Sequence, residues 1–538
     1  PSRWAADVSA DKTPLSLYPR PQLVRGAKSA MSAMSDIRDT GDPSTWQNLN
    51  GLWEWEPTTA TAKPPFGRAL NGSILVPFPV ESCLSGVAPN SSAEIVQHMW
   101  YRLPFTTNST IHDGGDRTLL HFGAIDWQST VYLNGKQLLN TDVQMNHTGG
   151  YSGISFDITE DLGRANELLV YAYDPSDNGA QPNGKQRISA IDKPGGDRYT
   201  PSSGIWQTVW LESVPGDAYV SSIDINQASM DTVTVAATVT GACHGSGCVK
   251  YEVLSDDGTT ILASASGGSS AWLNIKVPAP AKTWSPTSPH LYGLRVTTSA
   301  DTVLSYFGLR TFALSGQSGQ GTTTSTAAKP RRPLLNGNFT FLAGFLDQSW
   351  WPDGQYTAPT DEALAFDIEA VPTFGLNMIR LHQKVNPERW YYHADRLGVV
   401  VFQDMVQKYG GATKATIPLF VADLRRMIRE RGNHPCIVQW TTFNEGDCWQ
   451  VFDTPPYAVA DIVKMAAALD NSFRLVDTDS GGGANNQHIG DVNDVHDYPN
   501  PGNPMPSSTQ YAMVGEFGGI GAFVAGKEWK PGACHTYL

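Results

Sequence analysis

Two rhythms of apolar and polar residues divide the chain. From 49 to about 215, short apolar or alternating runs are separated by frequent turn signals, as in Ser73-Ile-Leu-Val-Pro, Met99-Trp-Tyr-Arg-Leu-Pro-Phe and Arg117-Thr-Leu-Leu-His-Phe. Strands at this spacing predict a β-sandwich or jelly roll, with Asn134-Gly135 as a tight hairpin turn. From about 216 to 315 the same idiom recurs on a smaller scale. Thr232-Val-Thr-Val-Ala-Ala-Thr-Val alternates, 291–296 and 306–312 add strands, and an immunoglobulin-like β-sandwich is expected. Residues 1–40 carry neither pattern and read as an N-terminal arm. The polar, low-complexity run 315–328 reads as a linker or loop.

After Arg331 the rhythm becomes strand, helix, strand, helix. Strands are expected at 341–346, 377–382, 399–404, 437–442, 474–477, 494–498 and 512–515. Helices are expected at 360–374, 386–398, 418–431 and 457–469. Thr360 is placed to cap the first helix and Gly375 to stop it; Asn386-Pro387 opens the second and Gly398 ends it. The alternation predicts a C-terminal (β/α)8 TIM barrel. Only 22 residues follow Glu516, too few for another βα unit of about 30 residues, so the barrel is expected to be truncated before strand 8 and the native polypeptide to continue past Leu538. The expected domains are 1–215 (arm plus jelly-roll sandwich), 216–330 (immunoglobulin-like sandwich and linker) and 331–538 (barrel).

Chemistry in such barrels sits at the C-terminal ends of the strands. Strand 437–442 runs into Asn444-Glu445-Gly446, and strand 512–515 into Glu516. Two strand-end carboxylates match the acid and nucleophile of a glycosidase. The acid needs a raised pKa, from burial or a neighbouring negative charge. Arg380 lies inside a strand, where a buried charge must be paired, and a nucleophilic carboxylate is a fitting partner. Asp347, His382, Asp404, Asn444 and His496 also sit at or just past strand ends and are candidate substrate ligands. Trp350 and Trp351 are a candidate sugar-stacking wall. Asp126-Trp127, in the first sandwich, reads as a fold-maintaining pair.

The net charge of −14, without a basic run, argues against nucleic acid and anionic membranes as partners. Five Asn-x-Ser/Thr triplets, at Asn71, Asn90, Asn108, Asn146 and Asn338, and a first residue that is not Met point to a secreted, N-glycosylated protein. Cys243 and Cys248 flank a short loop and are expected to form a disulfide. No His or Cys spacing suggests a structural zinc, and no cofactor is called for.

Several longer motifs resemble glycoside hydrolase family 2. Tyr199-Thr-Pro-Ser-Ser-Gly-Ile-Trp-Gln-Thr-Val-Trp-Leu-Glu is similar to the end of that family's sugar-binding domain. Trp284-Ser-Pro-Thr-Ser-Pro-His-Leu-Tyr and Phe307-Gly-Leu-Arg-Thr-Phe resemble its immunoglobulin-like domain. Leu335-Asn-Gly-Asn-Phe-Thr-Phe-Leu-Ala-Gly and the run 347–364 resemble its barrel. The resemblance covers about 45–525 and implies a retaining exo-β-glycosidase, with Glu445 in FNEG as acid/base and Glu516 in GEFGG as nucleophile. A terminal β-galactoside is the first expected substrate. A β-galactofuranoside, arabinoside or β-glucuronide are alternatives, as is a non-catalytic carbohydrate-binding protein.

Overall fold

Alternation in the first 215 residues resolves into two antiparallel sheets. One runs in the order His147–Thr148, Gln128–Leu133, Asn166–Tyr173, His98–Phe105, Gly51–Pro57, Gly72–Val76; the other in the order Ile154–Asp157, Arg117–Phe122, Val209–Val214, Trp46–Asn48. Trp53, Tyr101 and Val170 from the first and Phe122 and Leu211 from the second fill one core between them. This is the first of several layers in a computed structural model that describes residues 1–25, 41–108, 111, 116–139, 147–316, 330–482, 488–519, 521 and 525–526. The described molecule is multidomain and β-rich, with few helices.

A smaller pair of sheets follows. Ala218–Asn226, Thr232–Gly241 and Leu273–Lys276 face a sheet built on Val249–Leu254, Tyr292–Thr297 and Thr302–Phe307, with Val235, Tyr251, Leu294 and Phe307 in the shared core. The N-terminal arm is not unpatterned throughout. Its Val24–Arg25 pairs antiparallel with Thr302–Phe307, so the arm adds an edge strand to this second pair of sheets. The expected Cys243–Cys248 disulfide is formed. Residues 317–328 of the low-complexity run lie outside the described residues.

Beyond Arg331 the strands are parallel. β1 (Gly344–Asp347), β2 (Met378–Leu381), β3 (Val400–Asp404), β4 (Ile437–Asn444) and β5 (Leu475–Ser480) make one sheet in sequence order. The helices α1 (Asp361–Thr373), α2 (Glu388–Leu397), α3 (Thr416–Arg431) and α4 (Val459–Leu469) connect β1 to β5. Thr360 caps α1 by accepting from the Ala363 amide at 3.1 Å, and Gly398 ends α2 in the left-handed region, φ 75°. Asn386 does not cap α2. Pro387 is the N-cap, and the Asn386 amide bonds Ser349 Oγ at 3.0 Å instead.

A closed barrel is not formed among the described residues. β6 (Val492–His496) and β7 (Tyr511–Glu516) make a separate parallel pair. Between β5 and β6 side chains take over from a ladder. Asp491 accepts from the Val476 amide at 2.9 Å, and Ser480 Oγ donates to Asp494.

The layers share one interior. Trp206 and Tyr151 of the first sandwich and Trp284 of the second belong to the same buried cluster as Ile379, Phe402 and Trp440 of the parallel sheet. A loop of the first sandwich also reaches the strand ends. The Asn183 and Gly184 amides both donate to the Gln407 carbonyl, at 3.0 and 2.9 Å. Gly184 has φ +54°, and a Cβ there would meet the Gln383 carbonyl at 2.6 Å, so the approach requires glycine. Among the described residues no helix is long and apolar enough to cross a membrane.

Candidate active site

A positive charge at the end of a buried strand gathers the site. Arg380, 3% exposed on β2, donates Nη2–H to Asp404 Oδ2 (2.7 Å) and Asn444 Oδ1 (2.7 Å), and Nη1–H to Glu516 Oε1 (3.0 Å). These partners come from the C-terminal ends of β3, β4 and β7. Parallel alignment therefore brings residues from distant parts of the sequence to one guanidinium, and the expected Arg380–Glu516 pair is present. His382 Nδ1 lies 2.6 Å from Asp404 Oδ2, and its Nε2 is 4.0 Å from Glu516 Oε1.

Glu516 has two further neighbours. Tyr498 donates its phenol hydrogen to Oε2, and His496 Nδ1 stands 3.7 Å from that oxygen. Burial alone would raise the Glu516 carboxyl. The charges of Arg380, His382 and His496 and the Tyr498 bond outweigh it and hold the group at about 2. Asp404 is likewise held low against burial by Arg380 and His382.

Glu445 follows β4 in the left-handed region, φ 52°. Its amide donates to the Ser480 carbonyl at 2.8 Å, and the next amide, Gly446, donates to Asp479 Oδ1 at 3.1 Å. Pinned this way, the turn leaves the carboxylate 42% exposed, with Oε1 2.8 Å from His496 Nδ1. His496 Nε2 lies 3.0 Å from Ser480 Oγ. One atom each from Glu445, His496 and Glu516 lie within 4.8 Å of one another. The expectation of a raised Glu445 pKa is not met. The His496 bond, the largest influence, lowers it, against smaller raising effects from burial and the Glu516 charge.

Arg380, His382, Asp404, Asn444, His496, Glu445 and Glu516 thus converge. Asn444 Nδ2 and His382 Nε2 are buried there without a hydrogen-bond partner. Asp347, Trp350 and Trp351 do not join the cluster. Asp347 accepts from the Ser349 amide (2.6 Å) and hydroxyl (2.9 Å), and burial raises its carboxyl. Trp350 donates Nε1–H to the Thr200 carbonyl at 3.1 Å and stacks on Tyr199, centroids 4.7 Å apart, so that face is already covered. Trp351 meets Trp4 edge-on at 5.6 Å. Asp126 accepts from Gln186 Nε2 at 2.9 Å within the first sandwich, remote in its bonding from this cluster.

Sequence reasoning missed Tyr498, although it closes the expected strand 494–498. It also missed Lys185, whose ammonium bonds Tyr409 OH and Asp197, each at 3.1 Å, beside the strand ends. Lys185 belongs to the sandwich loop, so strand-end logic gives no signal for it. A larger cavity, about 740 Å³, lies between the arm, the sandwiches and the helices, bordered by Arg20, Trp210, Asp224 and Arg389 and by none of the clustered residues.

No protein-family model matches the chain. The β-galactosidase of Thermoanaerobacter pseudethanolicus is 23% identical over 355 residues, 63% of this chain and 44% of that protein. The solved β-glucuronidase of Faecalibacterium prausnitzii superposes with TM-score 0.67 at 20% identity, covering 89% of this chain and 84% of that one. The Ruminococcus gnavus β-glucuronidase, solved in complex with D-glucuronic acid, gives TM-score 0.62 at 19% identity over 80% of this chain and 71% of that one. These relatives and fold neighbours are named β-galactosidases and β-glucuronidases, which are glycoside hydrolases. Matches to three curated relatives span only 31%, 44% and 37% of those proteins.

Proposed function

We infer that this protein is a retaining exo-β-glycosidase acting on terminal β-linked sugars. The observation that carries this reading is the pair Glu445 and Glu516, with an oxygen of each within 4.8 Å of the other, Glu516 mostly buried beside Arg380 and Glu445 open to solvent. Retaining glycosidases hold their carboxyl groups about 5–5.5 Å apart, whereas inverting ones leave about 6.5–9.5 Å for a water. Glu516, held ionised by Arg380, attacks the anomeric carbon. Glu445, open to solvent, gives its proton to the departing oxygen. The same carboxylate then takes a proton from the water that cleaves the glycosyl–Glu516 ester. Asn444, oriented by Arg380, has an amide hydrogen free for a sugar hydroxyl.

A β-galactoside is the first substrate reading. A β-glucuronide is the second, favoured by the fold neighbours named β-glucuronidases. Nitrophenyl β-galactoside, β-glucuronide and their α-anomers separate the readings. Turnover confined to β-anomers, fastest with galactoside and giving the β-sugar first by NMR, is expected. Sugar binding without turnover on any of them would make this a carbohydrate-binding protein. Secretion and N-glycosylation are part of the same proposal. Asn71, Asn90, Asn108 and Asn338 are exposed, while Asn146 lies outside the described residues. Endoglycosidase treatment should lower the apparent mass.

A further inference from the structure

We propose that a cavity of about 280 Å³ between Tyr199 and Trp351 is the aglycone site, and that it takes a flat apolar ring rather than a second sugar. The proposal rests on the glycosidase reading above. The cavity is built from both layers. The sandwich loop supplies Pro194, Arg198 and Tyr199, and the segment after β1 supplies Trp350, Trp351 and Pro352.

Its position follows from contacts with the strand ends. The Arg198 guanidinium lies 3.3 Å from the Tyr409 ring centroid, and the Tyr409 hydroxyl accepts from Lys185. Tyr409, Arg198 and Lys185 all act electrostatically on Asp447, two residues past Glu445. On the far wall Lys384 donates to the Ser349 carbonyl at 2.8 Å, which fixes the segment that turns into Trp350. Through Arg198 and Tyr409 the sandwich wall of the cavity is thus linked to the turn that follows Glu445, the residue that protonates the leaving oxygen.

Its chemistry follows from the lining. Trp350 is already hydrogen-bonded to Thr200 and stacked on Tyr199, and proline and glycine add no side-chain polar atoms. A hexose would bury several hydroxyls against these walls with few partners, whereas an aromatic ring loses nothing there. The volume lies just below the roughly 300–1,000 Å³ of small-molecule sites, which suits one ring system and not an oligosaccharide. In the reaction the ring departs as the free aromatic alcohol, its glycosidic oxygen taking the Glu445 proton as the bond to the sugar breaks.

The test uses 2-naphthol and the whole protein. Calorimetry should detect 2-naphthol binding to the wild type, weakened at least tenfold in Trp351→Ala, which opens a wall, and in Thr200→Trp, which fills the space. In turnover, 2-naphthol should raise KM for a nitrophenyl glycoside without lowering kcat. The ratio of kcat/KM for naphthyl over methyl β-glycoside should fall about tenfold in either variant, a comparison that cancels intrinsic leaving-group ability. No naphthol binding to the wild type, or equal binding in a folded variant, overturns the proposal. A protein that binds 2-naphthol at this cavity but cleaves no β-glycoside would overturn the glycosidase reading instead.

Discussion

Two buried arginines organise this molecule, and they are used differently. Arg25, in the arm, meets Glu212 and Asp301 where the arm joins the sandwiches, and Arg20, His121 and Tyr18 complete the shell around Glu212. Both Glu212 oxygens are filled from within the protein and the carboxylate is buried, although Arg20 and His121 also border the larger cavity. Around Arg380 the acids are paired just as closely, but Asn444 Nδ2 and His382 Nε2 have no partner and Glu445 is open to solvent. Buried charge by itself therefore does not mark a site. An exposed carboxylate beside the buried charge is what sets the second cluster apart. The first cluster holds layers together; the second orders groups for something not yet bound.

The comparison breaks most sharply at Glu516. Glu516→Gln removes the attacking oxygen, and turnover should fall by about 10⁴-fold or more. Arg380 keeps Asp404, so the unfolding midpoint should move little; a collapse of the fold with activity intact per folded molecule would reverse the assignment of the two clusters. Glu212→Gln should do the opposite. It leaves Arg20 without its ion-pair partner and Arg25 with Asp301 alone, and should cost about 3–5 kcal/mol in denaturant unfolding, without changing kcat of the folded fraction.

Acid sharpens the contrast. His121 is pushed down to about 4, mainly by burial, from an ordinary value near 6.5. A depressed folded pKa gives stability that is complete above about 6.5 and is lost as pH falls toward 4, so the thermal midpoint should decline across that window. Glu516, held at about 2 against an ordinary 4.5, adds its own loss only below about pH 5, so the upper part of the window belongs to groups such as His121. A smaller effect is expected at His496. His496→Ala removes the bond that lowers Glu445 and leaves burial and the Glu516 charge, which raise it. The alkaline limb of kcat/KM should therefore move to higher pH; an unmoved limb would deny His496 that role. The smallest change is expected on the surface, where Lys136→Ala breaks a 2.8 Å pair to Asp161 and should alter stability by less than about 1 kcal/mol.

Much of this was legible in the chain. Period-two runs marked the antiparallel layers, and the switch to alternating strands and helices marked the parallel layer, with the ends of most elements within about two residues of those observed. Thr360 and Gly398 mark helix boundaries by local hydrogen bonding and backbone freedom, which act within a few residues. Glu445 and Glu516 were visible because parallel strands all end on one face, so a strand-end acid in sequence is a site acid in space. The parting of β6–β7 from β1–β5 was not legible, because it depends on which edges meet. Nor was the lowered Glu445 carboxyl, which depends on one histidine from β6 lying 2.8 Å away. The departure of Asp347 and Trp350 from the cluster, and the arrival of Lys185, Arg198 and Tyr199 beside it, were decided by docking the sandwich loop onto the strand ends. Periodicity specifies which residues face a core and which end a strand, since both follow from backbone geometry. Contacts between layers depend on shape and charge matching across long sequence separations, and only the folded chain brings those surfaces together.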